Sequence, residues 1–172
     1  MALRALVLGR FQPFHTGHKA LIQEALGRGF TVVVAIGSST AKPGLRNPFT
    51  TAERRSMVEA AFPNEVRSGG IVIAEVPDLH DPLRYAAHAI AITGAVDVVY
   101  GNDDETLALF ERAGMRTESP GLVDRQRYEA KVIRAQLAAD DGSWRKAVPP
   151  AVADLLVKLD AGRRLRGLEA YA

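Results

Sequence analysis

His15 and His18 lie three residues apart in the segment Gly9-Arg10-Phe11-Gln12-Pro13-Phe14-His15-Thr16-Gly17-His18-Lys19, directly after a short apolar run. Imidazoles with this spacing at a helix start can donate hydrogen bonds to phosphoryl oxygens. The helix N-terminus adds unpaired N–H groups and a partial positive charge. Arg10 and Lys19 supply full charges, Gly9 permits close backbone approach, and Pro13 stiffens the turn. The pattern points to a phosphate-binding loop; a helix cap beside a tight turn is the bland reading of the same residues. Zinc is disfavoured, because the only other histidines are His80 and His88 and the chain has no cysteine. Neither the Walker-A spacing nor Gly-x-Gly-x-x-Gly follows the first apolar run.

The elements that must hold this loop are legible as short apolar runs alternating with segments of helical period. Ala5 to Leu8, Val32 to Ile36, Ile71 to Ala74 and Val96 to Tyr100 are too short for helices and rich in β-branched residues, as strands buried on both faces are. A weaker fifth strand is expected near Met115 to Glu118. Between them, Gly17 to Leu26, Thr51 to about Ala61, Leu83 to Thr93 and Asp103 to Ala113 read as helices. The second opens on Thr50-Thr51-Ala52-Glu53, which has capping-box spacing. Tyr128 to Ala139 and Pro150 to about Ala161 complete the reading.

Alternation of strand and helix implies an α/β, doubly wound, Rossmann-like parallel sheet of about five strands with helices on both faces. One domain, 1–172, is expected, with 128–172 as its C-terminal helical part. In such sheets ligands bind beyond the carboxyl ends of the strands where the order reverses, here between the first strand and the fourth. The first ends at Gly9-Arg10 and the fourth at Gly101-Asn102.

At these residues the sequence resembles the His-x-Gly-His nucleotidyltransferase superfamily, and more narrowly the archaeal-type nicotinamide-mononucleotide adenylyltransferases. The resemblance runs through nearly the whole chain: Gly9 to His18, Ile36-Gly37-Ser38-Ser39, Arg46-Asn47-Pro48-Phe49-Thr50-Thr51-Ala52-Glu53-Arg54, Gly101-Asn102, Arg127-Tyr128 and Ile133-Arg134. It implies that an acceptor phosphate attacks the α-phosphate of ATP and that pyrophosphate leaves, with nicotinamide mononucleotide as the leading acceptor and NAD as product. It also implies that His15 and His18 bond the triphosphate, that Arg46 and Arg134 hold its β and γ phosphates, and that Arg10 lies near the acceptor or α-phosphate. Gly9, Phe11, Phe14, Gly17, Lys19, Gly101, Asn102 and Lys131 are expected around the nucleotide, and Gly37, Asp78, Asp81 and Tyr85 around the acceptor. Magnesium is expected to be held mainly by nucleotide phosphates and water, with no protein metal cluster. Read alone, Arg46 and Arg134 would be exposed charges and Gly101-Asn102 a capping turn.

The chain departs from that family at two functional positions. Relatives usually carry Ser-x-Thr before the arginine matched by Arg134; here Glu129 and Lys131 stand there. A carboxylate beside triphosphate repels it unless paired, while Lys131 would replace a hydroxyl contact with a charge. Archaeal relatives also carry an asparagine that recognises the nicotinamide amide and, three residues on, a tryptophan that packs on its ring. Pro82 and Tyr85 occupy those places. Tyr85 keeps a stacking face, whereas Pro82 offers no amide; His80 and Asp81 either face the acceptor or are plain loop residues. Another phosphate monoester as acceptor, CTP in place of ATP, or a nucleotide sensor without turnover therefore remain alternatives.

Composition narrows the partners. The formal charge is +2, with 22 Lys and Arg against 20 Asp and Glu. The one dense basic run, Arg163, Arg164 and Arg166, reads as a solvated tail. No aromatic-plus-basic stripe suggests nucleic acid. No apolar run approaches the ~20 residues of a membrane helix, and the start lacks signal-peptide features, so a cytoplasmic protein is expected. The family resemblance implies a homo-oligomer.

Overall fold

Short apolar segments become strands because each can be buried on both faces while its backbone bonds to parallel neighbours. The computed structural model describes residues 2–121 and 129–171. In it β1 (Arg4–Gly9), β2 (Thr31–Ile36), β3 (Ile71–Glu75), β4 (Val98–Tyr100) and β5 (Thr117–Glu118) form a sheet ordered β3-β2-β1-β4-β5. All of its pairings are parallel. The order reverses between β1 and β4, where the sequence places the crevice.

Alternate residues feed two cores. Ala5, Val7, Val32, Val34, Ile36, Val98 and Tyr100 pack beneath α1 (Thr16–Gly27), α2 (Thr51–Ala61) and the C-terminal helices. Leu6, Val33, Ala35 and Val99 pack beneath α4 (Pro82–Thr93) and α5 (Asp104–Arg112) on the opposite face. The expected capping box closes the start of α2: Thr50 Oγ1 accepts the Glu53 N–H at 3.2 Å, and the Glu53 carboxylate accepts the Thr50 N–H at 2.9 Å. A short helix unforeseen in the sequence, α3 (Pro63–Ser68), starts on a proline that cannot donate but needs no partner there.

The C-terminal part corrects one expectation. It comprises α6 (Ala130–Ala138), a 3₁₀ turn (Gly142–Ala147), α7 (Pro150–Lys158) and α8 (Ala161–Ala170); Arg127 and Tyr128 lie outside the described residues. The run at 163–166 is a solvated face only in part: Arg163 and Arg166 are exposed on α8, whereas Arg164 is half-buried. Arg164 grips both Glu53 carboxylate oxygens, at 2.6 and 2.9 Å, and donates to the Pro48 carbonyl at 3.2 Å. Arg166 donates to the Ala138 carbonyl at 3.2 Å. Here α8 crosses α6 so closely that a Cβ on Gly162 would fall 2.7 Å from the Leu137 carbonyl oxygen. The last helix thus braces the start of α2 and the loop that carries Arg46. Among the described residues, no helix is long and apolar enough to cross a membrane.

Candidate active site

A cavity of about 700 Å³ opens beyond the ends of β1 and β4. Its floor is the loop from Gly9 to His18, and that loop is tightly determined. Phe11 takes a left-handed backbone at φ 52°. Its ring lies so near Gly9 that a Cβ there would come within 2.9 Å of it, so only glycine suits position 9. Phe11 meets the His18 ring edge-on at 4.7 Å between centroids, and Phe14 packs at 5.5 Å from it.

The two imidazoles replace the usual Ser and Glu of a capping box. The His18 N–H donates to His15 Nδ1 at 3.4 Å, and the His15 N–H donates to His18 Nδ1 at 3.2 Å. Both rings therefore carry their proton on Nε2. They stack with centroids 3.5 Å apart and planes 21° apart. Burial pushes the His15 pKa down to about 3. Burial, then the neighbouring His15, pushes His18 well below its ordinary value. The cap reading holds and leaves room for the other, since Nδ1 serves the helix and Nε2–H is left for a ligand. Both histidines line the cavity.

Neutral buried histidines carry a pH signature. An unfolded histidine takes up its proton near pH 6.5, whereas folded His15 does so only near 3. Between those values the unfolded chain binds more protons, so stability is fully present above pH 6.5 and falls as pH drops. The expected slope is about 1.4 kcal/mol per pH unit for each such ring. Urea unfolding should show this loss between pH 7.5 and 5, flattened in His15→Ala. A wild-type stability independent of pH over that interval would refute the neutral pair.

Gln12, which the sequence reading passes over, ties this loop to the next. Its buried side-chain amide donates to the Phe49 carbonyl at 3.0 Å and accepts the Phe49 N–H at 2.9 Å. The Gln12 carbonyl in turn accepts Arg134 Nη1 at 2.7 Å. The signal was its place inside the motif, yet its partner lies 37 residues away. Arg10, Gln12 and Arg134 line the cavity. Burial lowers the Arg134 pKa, and the charges of Arg10 and Arg46 lower it further. Arg10 and Arg46 are thus each near enough to repel Arg134, a concentration of positive charge that favours a polyanion.

On one side of the floor, Gly37, Ser38, Asp78, Leu79, Pro82 and Tyr85 form a wall. Ser38 Oγ donates to the Asp78 carboxylate at 2.9 Å. Burial, then Asp78, raises the Tyr85 pKa, which puts that carboxylate near the phenol. On the other side stand Gly101, Asn102, Asp103, Thr106 and Leu107. Ser119 Oγ donates to Asn102 Oδ1 at 3.4 Å, and the Asp103 carboxylate caps α5 at the Thr106 N–H at 3.0 Å.

Of the residues the sequence nominated, Gly9, Arg10, Phe11, His15, Gly17, His18, Gly37, Asp78, Tyr85, Gly101, Asn102 and Arg134 converge on the cavity. Five do not line it. Lys19 turns away, its ammonium 5.9 Å from the centre of the Phe62 ring. Phe14 is fully buried beneath the histidines, against Phe11 and Phe62. Asp81 is spent as the cap of α4, accepting the Leu83 N–H at 3.1 Å. Lys131 is exposed on α6. Arg46 is exposed on its loop, where its carbonyl accepts Arg10 Nη2 at 3.4 Å, and it reaches the site through its charge on Arg134. His80 is also exposed and off the cavity.

Glu129 does line the cavity, and its side chain leaves the start of α6 uncapped. Its charge opposes any anion on the arginines. Glu129→Ser should tighten MgATP binding by about two- to fivefold, the scale of a single partly exposed charge interaction. Isothermal titration calorimetry reads this directly, and an unchanged Kd would mean the carboxylate does not face the phosphates.

Comparison with known proteins agrees with this geometry. A family model described as cytidylyltransferase-like matches residues 6–134. The nicotinamide-nucleotide adenylyltransferase of Methanolobus tindarius is 34% identical over 167 residues, spanning 96% of this chain and 94% of that protein. The enzyme of the same name from Ignicoccus hospitalis is 35% identical over 167 residues, spanning 96% and 98%. A solved structure of a bifunctional NMN adenylyltransferase/ADP ribose pyrophosphatase from Francisella tularensis, complexed with AMP and a manganese ion, shares the fold. It superposes with a TM-score of 0.76 at 19% identity over 99% of this chain and 52% of its own, so this chain spans about half its length.

Proposed function

The chain belongs to the cytidylyltransferase-like family, and on that premise we propose that it transfers AMP from ATP to nicotinamide mononucleotide, releasing pyrophosphate and forming NAD. The observation that carries this reading is the convergence of two Nε2–H imidazole donors and the Arg10 and Arg134 guanidinium groups on one crevice between β1 and β4. Relatives named nicotinamide-nucleotide adenylyltransferase, aligned over nearly the whole chain, support the choice of acceptor.

An oxygen of the acceptor phosphate attacks the α-phosphorus of ATP. The bond from that phosphorus to the bridging oxygen of the β-phosphate breaks, and pyrophosphate leaves with its electrons. The nucleophile is already an anion, so no general base is required. Catalysis reduces to positioning and charge stabilisation. His15 and His18 donate to phosphoryl oxygens through Nε2–H. Arg134 and Arg46 draw the leaving pyrophosphate, and Arg10 steadies the phosphates between the two substrates. Gly101, Asn102 and Leu107 take the nucleoside of ATP. Asp78, Pro82 and Tyr85 flank the acceptor ring, with Tyr85 stacking on it.

Among the described residues, no group of three or more histidine, cysteine or carboxylate side chains is placed to hold a metal. Magnesium would be carried in on the triphosphate, with phosphate and water as its ligands. The chemistry magnesium supplies there when bound is neutralisation of charge on the leaving pyrophosphate.

The test is pyrophosphate release with magnesium and either ATP or CTP, run against nicotinamide mononucleotide, nicotinate mononucleotide and phosphopantetheine, with product masses recorded. NAD from ATP and nicotinamide mononucleotide is the expected result. A nucleotidylated product from another acceptor alone would replace the substrate. Tight ATP binding without turnover on any acceptor would favour a sensor, the reading that Glu129 beside the phosphates supports.

A further inference from the structure

Arg54 is 2% exposed, and every one of its N–H groups is used. Nη1 donates to the carbonyls of Arg10 and Gly37, both at 2.7 Å. Nη2 donates to the Ser38 carbonyl at 3.1 Å and to Thr51 Oγ1 at 3.0 Å. Nε donates to the Thr50 carbonyl at 3.4 Å. The Thr51 hydroxyl in turn donates to the Ser39 carbonyl at 2.7 Å. No carboxylate is among these partners. Burying an unpaired cation is costly, and core packing alone would be served better by an apolar side chain. The guanidinium fork does what no apolar group can: it gathers the loops after β1 and β2 and pins both to the start of α2.

The carbonyls it holds belong to the two strained turns of the crevice. Phe11 at φ 52° and Ser38 at φ 47° are non-glycine residues in the left-handed region, a conformation that persists only where the surroundings enforce it. Arg54 fixes the carbonyl preceding each of them, Arg10 C=O and Gly37 C=O. Across a planar trans peptide the carbonyl and the following N–H point in opposite directions. Drawing both carbonyls to Arg54 therefore turns the Phe11 and Ser38 N–H groups away from it. Among the described residues neither N–H has a hydrogen-bond partner, and both residues line the cavity.

We propose that Arg54 is a positioning residue that holds the Phe11 and Ser38 turns so that their backbone N–H groups face the cavity as phosphate donors, one from each strand end. It acts through the backbone and does not touch substrate. This rests on the phosphate-transfer reading of the same crevice. Lysine cannot replace it, because an ammonium has three donors and no planar fork to span five acceptors.

The experiment uses the full-length, ¹⁵N-labelled chain. Wild type is assayed for NAD formation, and the Phe11 and Ser38 amide resonances are then followed during titration with MgATP. Both should shift downfield at saturation. Arg54→Lys should lose most of those shifts and about 10²-fold in kcat, the scale of a lost preorganised donor. Leu156→Ala, a destabilising change at a buried residue that does not line the crevice, should leave kcat and both shifts near wild type, separating positioning from stability. Folded Arg54→Lys with kcat within about threefold of wild type would overturn the proposal. If Arg54→Lys does not fold, the wild-type titration decides: amides that stay still while MgATP binds would overturn it as well. Absence of NAD would count against the proposed acceptor, whereas the amide titration with MgATP judges Arg54 independently.

Discussion

Replacing His18 with alanine should lower kcat by about 10²–10³-fold, the usual cost of removing one preorganised donor from developing negative charge. The geometry makes the loss specific. His18 Nδ1 is occupied by the His15 N–H, which leaves Nε2–H as the one polar group the ring can present. Because burial keeps both rings neutral, each arrives at the phosphate as a hydrogen-bond donor and not as a free cation. Their contribution grows as charge gathers on the transferring group, so the loss should fall on kcat more than on ATP affinity. Initial rates of pyrophosphate release at saturating substrate measure this. Near-normal kcat in a folded His18→Ala protein would remove His18 from the chemistry.

Arg134→Ala should reduce kcat/KM for ATP by about 10²–10³-fold while leaving the melting temperature of the ligand-free protein unlowered. Both halves follow from one observation. Arg134 is half-buried, bonded through Nη1 to the Gln12 carbonyl, and pressed by the charges of Arg10 and Arg46. In the free protein these like charges oppose folding; with triphosphate present they become attraction. Removing Arg134 therefore relieves repulsion in one state and forfeits binding in the other, a trade between stability and activity common at functional sites. Arg134→Lys should recover only part of the loss, since a point charge cannot grip two phosphate oxygens in a fixed plane. Thermal melts with and without MgATP, beside steady-state rates, test both halves. A large drop in the ligand-free melting temperature would reclassify Arg134 as structural.

How the chain distributes these roles explains what could be read in advance. Strand runs such as Val32 to Ile36 announce themselves because burial on both faces demands unbroken apolar sequence. The helix signal Thr50-x-x-Glu53 is local, and it forms as spaced. The histidine pair is equally local: three residues of spacing at a helix start bring both rings together whatever lies elsewhere. These features, with the strand and helix alternation, were enough to give the fold class and the crevice between the first and fourth strands.

What adjacency in sequence could not assign was the direction of side chains and the partners of distant ones. Lys19 follows His18 directly yet points to Phe62, because successive residues on a helix face different ways. Asp81 stands where an acceptor contact was expected and is consumed by a helix cap. Arg164 resembles its solvated neighbours, and only its bond to Glu53, 111 residues earlier, makes it a brace. Gln12 and Arg54 act on backbone carbonyls and amides, which are the same in every sequence and so leave no trace in residue type. Local spacing and apolar periodicity act within a few residues, so the groups able to meet a phosphate could be named from residue order alone. Which of them line one cavity was settled on folding, because hydrogen bonds to groups 37, 44 or 111 residues away exist once the chain has closed.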